Sequence, residues 1–297
     1  MSITSSSKFP EIVLILITIL WGGTFLAVHY ALNFTSPIFF VGTRFGIAAA
    51  VLFLVSYQQL RNFSRQEVIA GFFIGIVIAF SYVFQTVGLQ TITSSESAFL
   101  TALYVPFVPI LLFLFFKKVP AFNIWIGVVL AFFGLLLLTG NSMSQIDLSY
   151  GQIMTICSAI GIAMEIILIG FFAGKVNLGK VTFIQLVVAS IACFIAILFS
   201  QSEYIPNLSW QFILIVGALG CASALIQFAM NWAQRTVDPS KAAIIYSGEP
   251  VWAAIFGRLA GERLSILSIF GGILVLLGVL VSELKFKKLW VYFFKRY

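Results

Sequence analysis

The chain has 297 residues, of which 61% are hydrophobic and only 9% charged, with a formal net charge of +7. A soluble domain is about 25% charged and about 45–50% apolar, so this composition excludes a soluble globular protein and describes a polytopic membrane protein. The basic residues fall between apolar runs, which makes them a signal of topology and of contact with anionic lipid rather than of nucleic-acid binding.

A bilayer crossing takes about 20 mostly apolar residues. With prolines, glycines and charges as breaks, the chain divides into ten predicted helices, at 11–32, 37–57, 67–90, 94–116, 120–140, 150–172, 179–200, 209–233, 239–261 and 265–284. The first apolar run, Ile12 to Leu32, exceeds the h-region of a signal peptide and is predicted to be a retained span. The connections leave no room for a soluble domain. Two spans are interrupted: 94–116 carries Pro106 and Pro109, and 239–261 carries Glu249-Pro250 near its middle. A proline inside a helix strips the carbonyl four residues back of its donor. Those carbonyls belong to Ala102, Val105 and Tyr246, and such helix kinks suit a segment lining a cavity.

Ten spans put both termini on one side. That side receives Lys8, Arg61, Arg65, Lys117, Lys118, Lys175, Lys180, Arg235, Lys241 and the basic tail; the other receives Arg258 and Arg263, while Arg44 lies within a span. Basic loops face the cytoplasm, so both termini are expected there, in a bacterial inner membrane. The tail at 287–297 alternates basic and aromatic residues, as an anchor on anionic lipid or an ordinary cytoplasmic tail would.

Set against itself at an offset of 144, the chain matches Gln90 with Gln234, Ala98 with Ala242, Pro106 with Pro250, Gly127 with Gly271, Leu130 with Leu274 and Gly134 with Gly278. The predicted organisation is an N-terminal five-helix repeat at 1–140, a C-terminal five-helix repeat at 141–286, and the tail. Five is odd, so the second copy enters the membrane inverted. Inverted repeats place a binding site near the midplane between the halves.

Further residues carry a family pattern. Trp21-Gly22-Gly23-Thr24-Phe25 ends the first apolar run, and PIFFVGTRFGIAAAVLF begins at Pro37. Ala98 stands eight residues before Pro106, and Gly127 seven before Gly134. The later copy reads EPVWAAIFGRLAGERLSILSIFGGILVLLGVL from Glu249. In this order the motifs resemble the EamA-type branch of the drug/metabolite transporter (DMT) superfamily, over about residues 11–284. The resemblance implies ten transmembrane helices in two inverted five-helix repeats, an all-α polytopic membrane protein, and export of small metabolites, amino acids or related amines. Two positions depart from the pattern: Lys117-Lys118 stands where the family often has an acidic residue, and Glu165 occupies the position matching Trp21.

Ionisable groups inside a membrane are candidate functional sites. Glu249 sits about 15 Å into its span, where it could take a substrate ammonium or a proton; the competing role is a buried structural carboxylate. Glu165 is the second candidate, and two carboxylates facing one cavity suit proton coupling. Arg44 could bind a substrate carboxylate, pair with Glu249 or Glu96, or snorkel outward. Trp21, Tyr82, Tyr104 and Tyr246 are candidate aromatic walls for an apolar or cationic metabolite, against ordinary packing. Gln85, Gln185, Gln227 and Asn231 are intramembrane amides whose plainer use is helix–helix hydrogen bonding. His29 is the one histidine and reads as a satisfied interfacial residue. The glycines at 127, 134, 271 and 278 are predicted to permit close helix packing.

Cys157, Cys193 and Cys221 lack metal-ligand spacing, and no phosphate-binding loop or HExxH motif is present, so neither metal nor cofactor is expected. The expected partners are a small-molecule substrate and membrane lipid. Two other classes stand beside a transporter: a membrane-embedded enzyme acting on lipid, for which the loops offer few acids, and a receptor or scaffold, for which they offer little surface.

Overall fold

A computed structural model of the chain describes residues 8–117, 122–139, 148–199 and 209–283. The tail and Lys118 lie outside these described residues. Twelve α-helices follow one another: α1 (Phe9–Ala31), α2 (Pro37–Ser56), α3 (Arg65–Gly88), α4 (Ser94–Thr101), α5 (Tyr104–Phe116), α6 (Phe122–Thr139), α7 (Tyr150–Phe172), α8 (Leu178–Phe199), α9 (Trp210–Ala233), α10 (Pro239–Tyr246), α11 (Glu249–Leu259) and α12 (Ile266–Glu283). No strand occurs among the described residues. Seven helical segments there are long and apolar enough to cross a membrane, with α4 and α5 together forming one of them.

The starts of the helices are written locally. Ser64 and Ser149 form capping boxes with Glu67 and Gln152, and Thr93, Ser209 and Asp238 accept a backbone N–H from the following turn. Each cap satisfies a donor that the first helical turn leaves free. Pro37 and Pro239 stand at the first helical position, where their missing N–H costs nothing.

The predicted span at 94–116 is recovered as one crossing-length segment, and both it and 239–261 are interrupted. Each is two helices, α4–α5 and α10–α11, separated by Ala102-Leu103 and by Ser247-Gly248. The four break residues keep right-handed dihedrals, so the axis is interrupted without a reversal. Hydrogen bonding tightens there: Val105 N–H donates to the Ala102 carbonyl at 3.0 Å, and Gly248 N–H to that of Ile245 at 3.2 Å. The Ala102 acceptor freed by Pro106 is thus satisfied within the break. Pro106 and Pro250 lie in the first turn of the helix after each break, and Pro109 is inside α5.

Shifting element limits by the 144 of the sequence match carries α6 onto α12 residue for residue, and α3 onto α9 within one residue. Helices before residue 140 pack mainly on helices after it: α3 on α7 and α8, α2 on α8 and α9, α1 on α9 and α11, and α6 on α12. Close approach at the last pair depends on a glycine. A Cβ on Gly134 would sit 2.7 Å from the Gly271 carbonyl oxygen.

The two ends of the bundle differ. At one end Lys241 pairs with Glu11 at 2.7 Å and Lys180 with Glu67 at 3.5 Å. At the other, His29 Nδ1 donates to the Leu89 carbonyl at 3.0 Å and Gln152 Nε2 to Glu96 at 2.7 Å.

Candidate functional site

The two breaks meet in the interior. Thr101 and Tyr104 flank one, Tyr246 and Glu249 the other, and all four are 0% exposed. Glu249 is the first residue of α11, where the helix dipole favours a negative group. The Trp-Gly pair of α1 holds it from behind. Trp21 meets Tyr246 edge-to-face at 5.7 Å. A Cβ on Gly22 would sit 2.7 Å from both the Glu249 carbonyl oxygen and Trp252 Cβ, so only glycine lets α1 approach α11 this closely.

Glu165, on α7, faces the same interior and is also 0% exposed. Helix α7 packs on α3, α5 and α10, which carry Tyr82, Tyr104 and Tyr246. The sequence candidates on α3, α5, α7 and α10 thus lie on helices packed around α7, and Glu249 begins α11 across the break from Tyr246. No ion pair to either carboxylate occurs among the described residues.

The carboxylates are held differently. Glu165 Oε1 accepts from Gln227 Nε2 at 2.8 Å. Gln227 Oε1 accepts from Gln185 Nε2 at 2.8 Å, and Gln185 Oε1 from Asn231 Nδ2 at 3.2 Å. Each amide in this chain points a donor toward Glu165, as an acceptor-only carboxylate requires. Glu165 Oε2 has no partner, and Glu249 has none at either oxygen. The Tyr104 hydroxyl is likewise unpartnered, whereas that of Tyr246 accepts from Gln234 Nε2 at 3.3 Å. Buried polar atoms are nearly always hydrogen-bonded, and this cluster departs from that rule at four oxygens.

Arg44 corrects one expectation. It is 2% exposed, so it does not snorkel, and it pairs with neither Glu249 nor Glu96. Its Nε donates to Ser223 Oγ at 2.6 Å, and the guanidinium lies 5.3 Å from the Tyr82 ring centre. Tyr82 lies on α3, which packs against α7, the helix of Glu165. Gln85 stays outside the amide chain and donates to Thr101 Oγ1 at 3.2 Å. Pro106, Pro109 and Pro250 are buried and shape the breaks.

The large open clefts lie elsewhere. One of about 720 Å³ runs between α2, α8 and α9 with Arg235 in its wall, and one of about 600 Å³ lies along α11 and α12 beside Phe99. Neither is lined by Glu165 or Glu249, both of which are fully buried. The unpartnered hydroxyls of Ser94, Ser97 and Ser158 escaped sequence reasoning. The spacing of Ser94, Ser97 and Thr101 on one helical face was the available signal.

A bundle of apolar helices around an enclosed polar centre is the architecture of a membrane transporter, and comparison with known proteins agrees. The EamA-like transporter family matches residues 8–140 and 149–284. The chain belongs to this family, within the DMT superfamily, and is an integral membrane transporter. It is 32% identical over 282 residues to an uncharacterized transporter of Archaeoglobus fulgidus, covering 93% of this chain and 86% of that one. It is 24% identical to the uncharacterized transporter YoaV of Bacillus subtilis, covering 93% and 97%. A solved crystal structure shares the fold with a TM-score of 0.68 at 16% identity, covering 93% of this chain and 96% of that one.

Proposed function

We propose that this protein exports small amines or amino acids by alternating access around the Glu249–Glu165 centre. In this proposal ten transmembrane helices form two inverted five-helix repeats, with both termini cytoplasmic in a bacterial inner membrane. The loop charges support that orientation, and the 144-residue spacing of α6 with α12, with the two breaks one residue off it, supports the repeat.

The observation that carries the substrate class is the state of Glu249: fully buried, unpartnered at both oxygens, and without a cation in pairing distance. A buried carboxylate of this kind is complementary to an ammonium group or a proton. Tyr104, Tyr246 and Trp21 provide ring faces suited to an organic cation. Arg44, held by Ser223 beside Tyr82, supplies the positive end that a zwitterionic amino acid would need. Glu165, fixed on one side by Gln227, is suited to hold a coupling proton while Glu249 holds substrate.

Purified protein in liposomes loaded with labelled amines and amino acids tests this. Efflux that stops in Glu249→Gln, with the fold intact, supports the assignment; undiminished efflux removes Glu249 from the mechanism. Lack of efflux for every amine and amino acid removes the substrate class.

A further inference from the structure

We infer that one face of α4 is the outward half of the substrate path and that Glu262 latches it shut. This rests on the transport reading above and adds a route and a gate to it.

Ser94, Ser97, Thr101 and Tyr104 stand at positions 0, 3, 7 and 10 of one helical stripe, which runs from the first turn of α4 across the break into α5. All four are 0% exposed, and Ser94 Oγ, Ser97 Oγ and the Tyr104 hydroxyl have no hydrogen-bond partner. Hydroxyls in apolar helices usually bond the carbonyl four residues back. Ser81, Thr86, Thr155, Thr182 and Ser223 all do so here. Ser97, whose carbonyl four residues back is that of Thr93, forgoes that bond.

The opposing wall has the same character. Helix α7 packs on both α4 and α5. On α7, Ser158 and Glu165 are seven residues apart and so share a face; Ser158 Oγ and Glu165 Oε2 are both unpartnered. Unsatisfied oxygens thus lead from the end of the bundle at Ser94 to the level of Glu165 and Glu249. Such a row is costly in a closed interior and is satisfied once water or an ammonium group enters. Hydroxyls and carboxylates without a fixed cation select for positive or zwitterionic solutes.

A carboxylate from the other half of the chain ties down the end of the stripe. Glu262, in the turn between α11 and α12, accepts from Ser94 N–H at 3.0 Å, from Ser95 N–H at 3.1 Å and from the Ser95 hydroxyl at 2.5 Å. It joins α4 to the other half of the chain at the N-terminal turn, where a carboxylate is favoured. The repeat offers no equivalent at the other end. The matching position is Lys118, and α10 is capped by its own Asp238 ahead of Pro239, which has no N–H to give.

Cysteine accessibility tests the route. Ser97→Cys is placed in a full-length chain with the three native cysteines replaced by alanine. Intact cells are treated from outside with a membrane-impermeant, trimethylammonium-bearing thiosulfonate. Slow modification is expected when Glu262 is present, at least tenfold faster modification with Glu262→Ala or Glu262→Gln, and preference for the cationic reagent over its anionic sulfonate counterpart. An unchanged rate in both Glu262 variants overturns the latch. Modification reached only from the cytoplasmic side overturns the route. A Glu249→Gln companion separates the two claims: if it still transports while Ser97→Cys stays Glu262-dependent, the central-carboxylate assignment falls and the path stands.

Discussion

Helices α4–α5 and α10–α11 both break just before a proline, Pro106 or Pro250, at points within one residue of the same offset, yet the breaks hold different chemistry. The first is lined with hydroxyls and continues into Tyr104. The second presents Tyr246 and Glu249, whose counterpart 144 residues earlier is Val105. The prolines therefore serve a backbone shape common to both halves, while the charged group belongs to one. A symmetric scaffold built from interrupted helices places two helix ends at the centre, and the side chains there are free to diverge. In this protein one break carries hydroxyls and the other a carboxylate, which the proposed function assigns as wall and ligand-binding acid.

That contrast can be broken in graded ways. The largest effect belongs to the acid: Glu249→Gln is expected to lower efflux about 100-fold, in line with the roughly 2–5 kcal/mol cost of truncating one partner of a buried charge pair. Proteoliposome efflux measures it, and a loss of only a few-fold would place the second break on a par with the first. Next comes Arg44→Ala, expected to weaken transport of amino acids about tenfold more than transport of the corresponding amines, as a lost charged hydrogen bond of about 1.5–3 kcal/mol implies. The ratio between substrates is the readout, because a general folding defect would lower both equally.

Gly22→Ala follows, since its Cβ would press on the Glu249 carbonyl and Trp252. Overpacking of this kind costs about 1–3 kcal/mol, visible as a lower melting temperature in detergent. Gly217→Ala is the control, because nothing lies within 4 Å of the added atom. Tyr104→Phe has the smallest effect and an unusual sign. Removing an unpartnered buried hydroxyl should leave stability unchanged or raise it by up to about 1 kcal/mol, while transport falls a few-fold. Reduced stability with normal transport would make Tyr104 a packing residue.

Much of the framework was legible in the chain. Span lengths, loop charges and the Pro and Gly matches located the helices, because apolar length and turn residues are local properties. The residues at which 94–116 and 239–261 break were not legible. Hydropathy carries straight through Ala102-Leu103 and Ser247-Gly248, and the tightened turns depend on how neighbouring helices close around the prolines. Glu249, Glu165 and the aromatics stood out as costly or bulky groups at depth. The partner of Arg44 did not, since Ser223 is 179 residues away in sequence and a lone serine in an apolar helix carries no marker. Glu262 read as one more loop acid, because its ligands are backbone N–H groups, which leave no trace in composition.

The central claim is that Glu249 receives the positive group of the substrate. Equilibrium binding of a transported amine to purified protein tests it most directly, with the wild-type chain, Glu249→Gln and Tyr104→Phe compared side by side. The predicted result is an affinity loss of about 100-fold in Glu249→Gln and only a few-fold in Tyr104→Phe. Equal affinity in the wild-type and Glu249→Gln proteins, both folded, would contradict it.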